Sequence, residues 1–274
     1  MAEQQTHVLT KELDNLSLTD EHICINYDDN KCAEVRVVNL LKPLLLDNSE
    51  QSVLFVGEEN FTFTVAFAAL RKSWNGFIST TWSQYDPNSE PQFAEVKLKS
   101  IEYCIKNGRQ LGISADKILY NTETVINLPT PPEGTWMLGI DATNIPSNSG
   151  ISVQGRVVWF QCPWVSMRKS QESTATLITT FLEHMASKQS CDDYVLIGIA
   201  NYFPYIKNYE LQNLLGEKLS STTEKSGKYD FRGADVYLVR KILECGYKHQ
   251  GCKEIHTVIL KNHITLVFQR NTVV

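Results

Sequence analysis

Two β-rich runs near the C-terminus, Ile255 to Leu260 and Ile264 to Gln269, are separated only by Lys261-Asn262-His263. So short a connection admits only an antiparallel hairpin, because a parallel crossover needs about a dozen residues or more. Upstream the pattern is different. Runs rich in Val, Ile, Phe or Trp recur at Ser52 to Val56, Phe77 to Thr81, Met137 to Ile140, Val157 to Phe160 and Tyr194 to Ile199. Between them Ala94, Leu98, Ile101 and Ile105 recur at helical spacing, and Leu177, Ile178, Phe181, Leu182 and Met185 form one apolar stripe. Such alternation builds a parallel sheet covered by helices. The expected fold is therefore α/β, with a mostly parallel sheet that ends in one antiparallel strand after a helix over about Ala234 to Glu244, closed by Gly246.

The 274 residues are 42% hydrophobic and 21% charged, enough for a well-buried core and too apolar for disorder. No apolar run approaches the roughly 20 residues of a membrane helix. The N-terminus has neither a basic nor an apolar targeting region. Seven cysteines in an otherwise ordinary composition suit a reducing compartment. These features together predict a soluble, intracellular protein without a membrane partner. The net charge of -5 is concentrated in residues 1–30, which hold seven acidic side chains and one lysine, so residues 31–274 carry +1. Residues 1–30 read as a flexible acidic arm, open to a partner, ahead of one domain over 31–274. A short helix is expected after the arm, where Val35, Val38, Leu41 and Leu45 recur. Tyr120 to Thr135, with three prolines, reads as a surface loop, and Asn201 to Lys228 as a short helix followed by a polar stretch.

Val53-Leu54-Phe55-Val56-Gly57-Glu58-Glu59-Asn60-Phe61-Thr62-Phe63 reads as a strand, a sharp turn and a helix start. A glycine there lets backbone approach a ligand, and free N–H groups at a helix start favour polar or anionic groups. The glycine-rich dinucleotide fingerprint is absent. The unit is either a nucleotide-type site or a plain turn.

V-G-E-E-N-F-T-F resembles the V-G-E/D-G-N/D-F-S-F signature of the uridine-N3 rRNA methyltransferase-like family, Rossmann-like enzymes that use S-adenosylmethionine (SAM). Downstream, Gly139-Ile140-Asp141-Ala142-Thr143 resembles its G-V/I-D-A-T, and Val157 to Trp164 resembles its strand ending in N-F-P-H. A parallel sheet closed by an antiparallel strand is likewise how class I methyltransferase folds end. The resemblance implies SAM as cofactor and a ring nitrogen of RNA, uridine-N3-like, as methyl acceptor. It implies that Gly57, Glu58, Glu59 and Asn60 line the methionine and ribose side of SAM, that Asp86 accepts from the ribose hydroxyls, and that Asp141 and Ala142 meet the adenine. Asp141 has the competing reading of a cap for Thr143 and Asn144. A cytoplasmic location follows, nucleolar where the substrate is eukaryotic rRNA.

Gln161-Cys162-Pro163-Trp164 supplies a polar side chain to hold the target nitrogen, a proline to stiffen the loop and a flat ring to stack on substrate. Gln161, Pro163 and Trp164 are accordingly the candidate catalytic residues, and Cys162 reads as packing. Three positions depart from the family: Glu59 replaces Gly, Gln161 replaces Asn and Trp164 replaces a His that could take a proton. A small-molecule or protein acceptor, or a non-catalytic binding module on the same fold, stays open beside the RNA reading.

Tyr202, Phe203 and Tyr205 read as loop packing rather than base stacking, and Arg168 and Lys169 as solvated charges. Cys245, His249, Cys252 and His256 match no common zinc spacing, so no metal is expected. His184 and His263 read as surface residues.

Overall fold

The computed structural model describes residues 18–28, 31–58, 61–73, 75–82, 117–120, 123–127, 135–163, 172–201, 228–242 and 262–271. These contain eleven strands: β1 (Leu18–Asp28), β2 (Lys31–Val38), β3 (Val53–Val56), β4 (Phe77–Thr81), β5 (Lys117–Tyr120), β6 (Glu123–Asn127), β7 (Thr135–Leu138), β8 (Val157–Gln161), β9 (Tyr194–Ala200), β10 (Tyr229–Asp235) and β11 (His263–Arg270). Two longer helices are α1 (Thr62–Arg71) and α2 (Glu172–Lys188).

Every residue of β3 is buried, as an uninterrupted apolar run requires of a strand covered on both faces. Val53 and Phe55 pack on one face with Phe63, Ala66 and Phe67 of α1 and with Trp159 of β8. Leu54 and Val56 pack on the other with Val158, Phe160 and the stripe Ile178, Phe181 and Met185 of α2. Helices on both faces of a central parallel sheet give three layers and two apolar cores.

Across the sheet the order is β1-β2-β10-β11-β9-β8-β3-β4-β7-β5-β6. The centre is parallel: β9 with β8, β8 with β3, β3 with β4, and β4 with β7. The last strand, β11, runs antiparallel to both β9 and β10. The molecule therefore has a Rossmann-like, class I methyltransferase-type sheet closed by an antiparallel C-terminal strand.

Several local expectations are corrected. Residues 18–28, part of the acidic stretch expected to be a flexible arm, form β1 and pair antiparallel with β2. Val35 and Val38 lie in strand β2, not in a helix, and only residues 42–46 make a short π-helical turn. Glu123–Asn127, expected to be loop, is the edge strand β6. Ala234 and Asp235, expected at a helix start, end β10, and helix begins at residue 238. Cys24 and Cys32 are joined by a disulfide across β1 and β2, with Cα atoms 5.6 Å apart, whereas the cysteine count suggested thiols throughout. The expected helix at 94–105, the strand at 255–260 and the cysteine and histidine array at 245–256 lie outside the described residues. No helix among the described residues is long and apolar enough to cross a membrane.

Candidate active site

β3 and β8 are parallel neighbours whose connections leave in opposite senses. The chain leaves β3 through α1 on one face and enters β4; it leaves β8 through α2 on the other face and enters β9. Such a reversal opens a crevice at the C-terminal ends of the two strands, where ligands of open α/β sheets bind. Gly57 stands at one lip and Gln161 at the other.

Gly57 has φ +68°, in the left-handed region. A Cβ built on it would lie 2.3 Å from Cε2 of Phe160, so the turn needs the absence of a side chain twice over. Two non-glycine residues at the same edge also have positive φ, Phe61 at 60° and Cys162 at 49°. Strain of this kind costs about 1–3 kcal/mol per residue and collects at functional sites.

Glu58 does not face the crevice as the resemblance implied. It is 5% exposed, and its carboxyl receives hydrogen bonds from the Thr64 hydroxyl and, at 3.4 Å, from the Thr64 backbone N–H. It thus occupies the start of α1, while its own N–H donates to Thr80 O at 2.9 Å. Burial pushes this carboxyl up to about 7 from 4.5, against the opposing pull of the Thr64 hydrogen bonds. Between those values the native protein holds a proton that the unfolded chain has released, so stability falls as pH rises from about 4.5 to about 7. Asp235, pushed up to about 6 chiefly by burial, acts in the same sense below that value. Glu58→Gln is therefore expected to abolish a loss of about 1 kcal/mol between pH 6 and 8, read from denaturant midpoints.

Asp141 Oδ1 accepts from the Thr143 N–H at 2.8 Å and the Thr143 hydroxyl at 2.7 Å. This is the capping arrangement, and it fixes the loop after β7 while leaving Oδ2 to other partners. Ala142 beside it is buried. Glu59, Asn60, Asp86 and Trp164 lie outside the described residues. Trp82, at the end of β4, is 53% exposed on this same edge.

At the other lip the Gln161 amide folds back into the protein. Its Oε1 accepts from the Trp159 indole N–H at 3.1 Å, and its Nε2 lies 3.4 Å from the Cys162 sulfur and 2.6 Å from Nε2 of His263. Gly198 makes the space: a Cβ there would sit 2.2 Å from Gln161 Oε1. The Cys162 N–H donates to Gly198 O at 2.9 Å, and Pro163 is buried. Desolvation pushes the Cys162 thiol up to about 12, so it is protonated and inert, in keeping with a packing role. His263 is fully buried, which corrects its reading as a surface residue. Burial, and then the charge of Arg240, lower it to about 3, so it is neutral. His184 accepts at Nε2 from the Ile145 N–H at 3.0 Å and pins the loop that follows Asp141.

Gly198→Ala puts a methyl where the Gln161 amide lies. The expected result is displacement of that amide and a loss of about 1–3 kcal/mol, measured by equilibrium unfolding.

Neither a family model nor a curated protein matches the sequence. Similar solved structures include an rRNA methylase from Streptococcus thermophilus, at 10% identity and TM-score 0.39, covering 81% of this chain and 89% of that one. A putative methyltransferase from Streptococcus mutans in complex with SAH is similar at 10% identity and TM-score 0.42, covering 84% and 96%. A putative rRNA-methylase from Clostridium thermocellum matches at 9% identity and TM-score 0.43, covering 84% and 92%. Likenesses at this level assign no residue and no reaction.

Proposed function

We propose that this chain is a SAM-dependent methyltransferase that acts on a ring nitrogen, with RNA as the first substrate class to test. The observation that carries the choice of cofactor is the Glu58 carboxyl at the start of α1. A dinucleotide would need those N–H groups for its pyrophosphate. Here the Glu58 carboxyl takes the N–H and hydroxyl of Thr64, which leaves fewer of those donors for a phosphate and suits a ligand that has none. Gly57, with φ +68° and its Cα against the Phe160 ring, lets the chain turn sharply where β3 ends beside β8, so that a ligand at this edge would meet the turn's backbone.

In this reading the turn of Gly57, Glu59 and Asn60 faces the methionine and ribose, Asp86 the ribose hydroxyls, and the loop of Asp141 and Ala142 the adenine. SAM would supply a methyl group on a positively charged sulfur. The 161–163 loop sets the position of the acceptor, and Trp164 stacks on it. Neutral groups line that loop, which suits a reaction in which positive charge on sulfur disappears.

A second reading, a non-catalytic binding module, is favoured by the Gln161 amide being engaged inside the protein rather than offered to an acceptor. Transfer of labelled methyl from SAM onto total RNA, compared with total protein and a small-molecule extract, separates the readings. Label in RNA is the expected result. Label only in the other pools changes the acceptor class, and no label with SAM bound leaves the binding module.

A further inference from the structure

The donor inventory around Gln161 fixes more than its own orientation. An indole N–H can only donate, so the atom of Gln161 facing Trp159 is the carbonyl oxygen, and the atom facing His263 is the NH₂ group. The NH₂ group can only donate, so His263 Nε2 must accept. The imidazole proton is then on Nδ1, which is buried and has no hydrogen-bond partner among the described residues. Trp159, Gln161 and His263 thus form one directional chain linking β8 to β11 across β9, through the gap left by Gly198.

The loop this chain anchors is strained. Cys162 has φ +49°, and its N–H is tied to Gly198 O. A non-glycine residue in that region persists only where its surroundings hold it there. The Gln161 amide, gripped from both sides, is the adjacent fixed point.

We propose that His263 is the positioning residue of the 161–163 loop: as an obligatory acceptor it locks the Gln161 amide inward and so fixes the loop backbone that faces the methyl acceptor. The proposal rests on the methyltransferase reading for its effect on turnover, but not for the lock itself. Among the described residues, the groups facing the imidazole are the Cys162 sulfur at 3.7 Å, the Gln161 amide and the charge of Arg240. None of them supplies a carboxylate that would favour the imidazolium.

The test uses the full chain. Long-range ¹H–¹⁵N correlation spectra of ¹⁵N-histidine-labelled protein, with His263 assigned by its loss in His263→Gln, read the tautomer directly. The expected result is a proton on Nδ1 that stays unchanged from pH 6 to 8. A proton on Nε2, or an imidazolium in that range, overturns the lock. In methyl transfer, His263→Leu removes the acceptor and is expected to lower kcat about 10- to 100-fold with KM for SAM unchanged. His263→Gln offers an acceptor oxygen in its place and should restore most of that loss. Wild-type kcat in His263→Leu, or a change confined to KM for SAM, contradicts the positioning role. Should the wild type bind no SAM, the methyltransferase reading fails by itself, and the tautomer still decides the lock.

Discussion

Gly57→Val should lose about 3 kcal/mol of stability and all binding in the crevice. Two physical effects add at this position. A β-branched residue is forced to φ +68°, and its Cβ is driven to within 2.3 Å of the Phe160 ring, which is itself packed edge-on against Phe181 at 4.9 Å between centroids. Overpacking and backbone strain of that order lower Tm by roughly 6–12 °C in a domain of this size. Gly155 provides the control, since it has φ +70° and nothing within 4 Å of a built Cβ. Gly155→Val carries the backbone strain without the collision, so it should lose less stability and keep ligand binding. Equal losses in the two variants would mean that the Gly57 turn has no special closeness to β8.

The second large effect lies at Trp159, which is fully buried on the α1 face. Its ring stacks on Phe55 at 6.0 Å and meets Phe63 and Phe67 edge-on at 5.1 and 5.7 Å. Trp159→Ala empties the centre of that cluster, with an expected loss of about 3–5 kcal/mol. Trp159→Phe keeps an aromatic ring but removes the donor to the Gln161 carbonyl found among the described residues. Its expected cost is about 1–3 kcal/mol from the buried oxygen left without a partner. The two variants should differ in kind as well as size. Trp159→Phe should keep SAM binding while impairing methyl transfer, because the released amide no longer fixes the 161–163 loop. Equilibrium unfolding and single-turnover methylation measure the two effects separately. A Phe variant with wild-type turnover would show that the indole N–H contributes packing alone.

The central strands were legible because burial on both faces leaves an uninterrupted apolar run, as in β3, and the α2 stripe because its period matches a helix. The added strands were not. In β2 the chain reads Glu34-Val35-Arg36-Val37, and the structure buries Val35 and Val37 in one core while Val38 enters the other. That alternation of two was present in the sequence, but the helical spacing of Val35, Val38, Leu41 and Leu45 concealed it. In β10 the signal is interrupted by Gly233, where the register shifts and a built Cβ would lie 2.6 Å from Arg36 O. A glycine that permits a neighbouring backbone to approach reads, in sequence, as the end of a strand.

At the site, the turn of Gly57 and the capping alternative for Asp141 could be read locally, since each depends on residues within a few positions. The orientation of Gln161 could not. Whether its amide faces substrate or core depends on a missing side chain at Gly198 and on an imidazole from β11, both distant in the chain. His263 read as exposed because it belongs to the short polar connection Lys261-Asn262-His263. Its burial comes from standing between β9 and β10 in the sheet.

Calorimetric titration of the folded wild-type chain with SAM, its demethylated product and a nicotinamide dinucleotide tests the account most directly. Saturable binding of the first two at one site, no heat from the dinucleotide, and loss of binding in Gly57→Val but not Gly155→Val is the predicted result. A folded wild-type protein that takes up the dinucleotide and ignores SAM would contradict it.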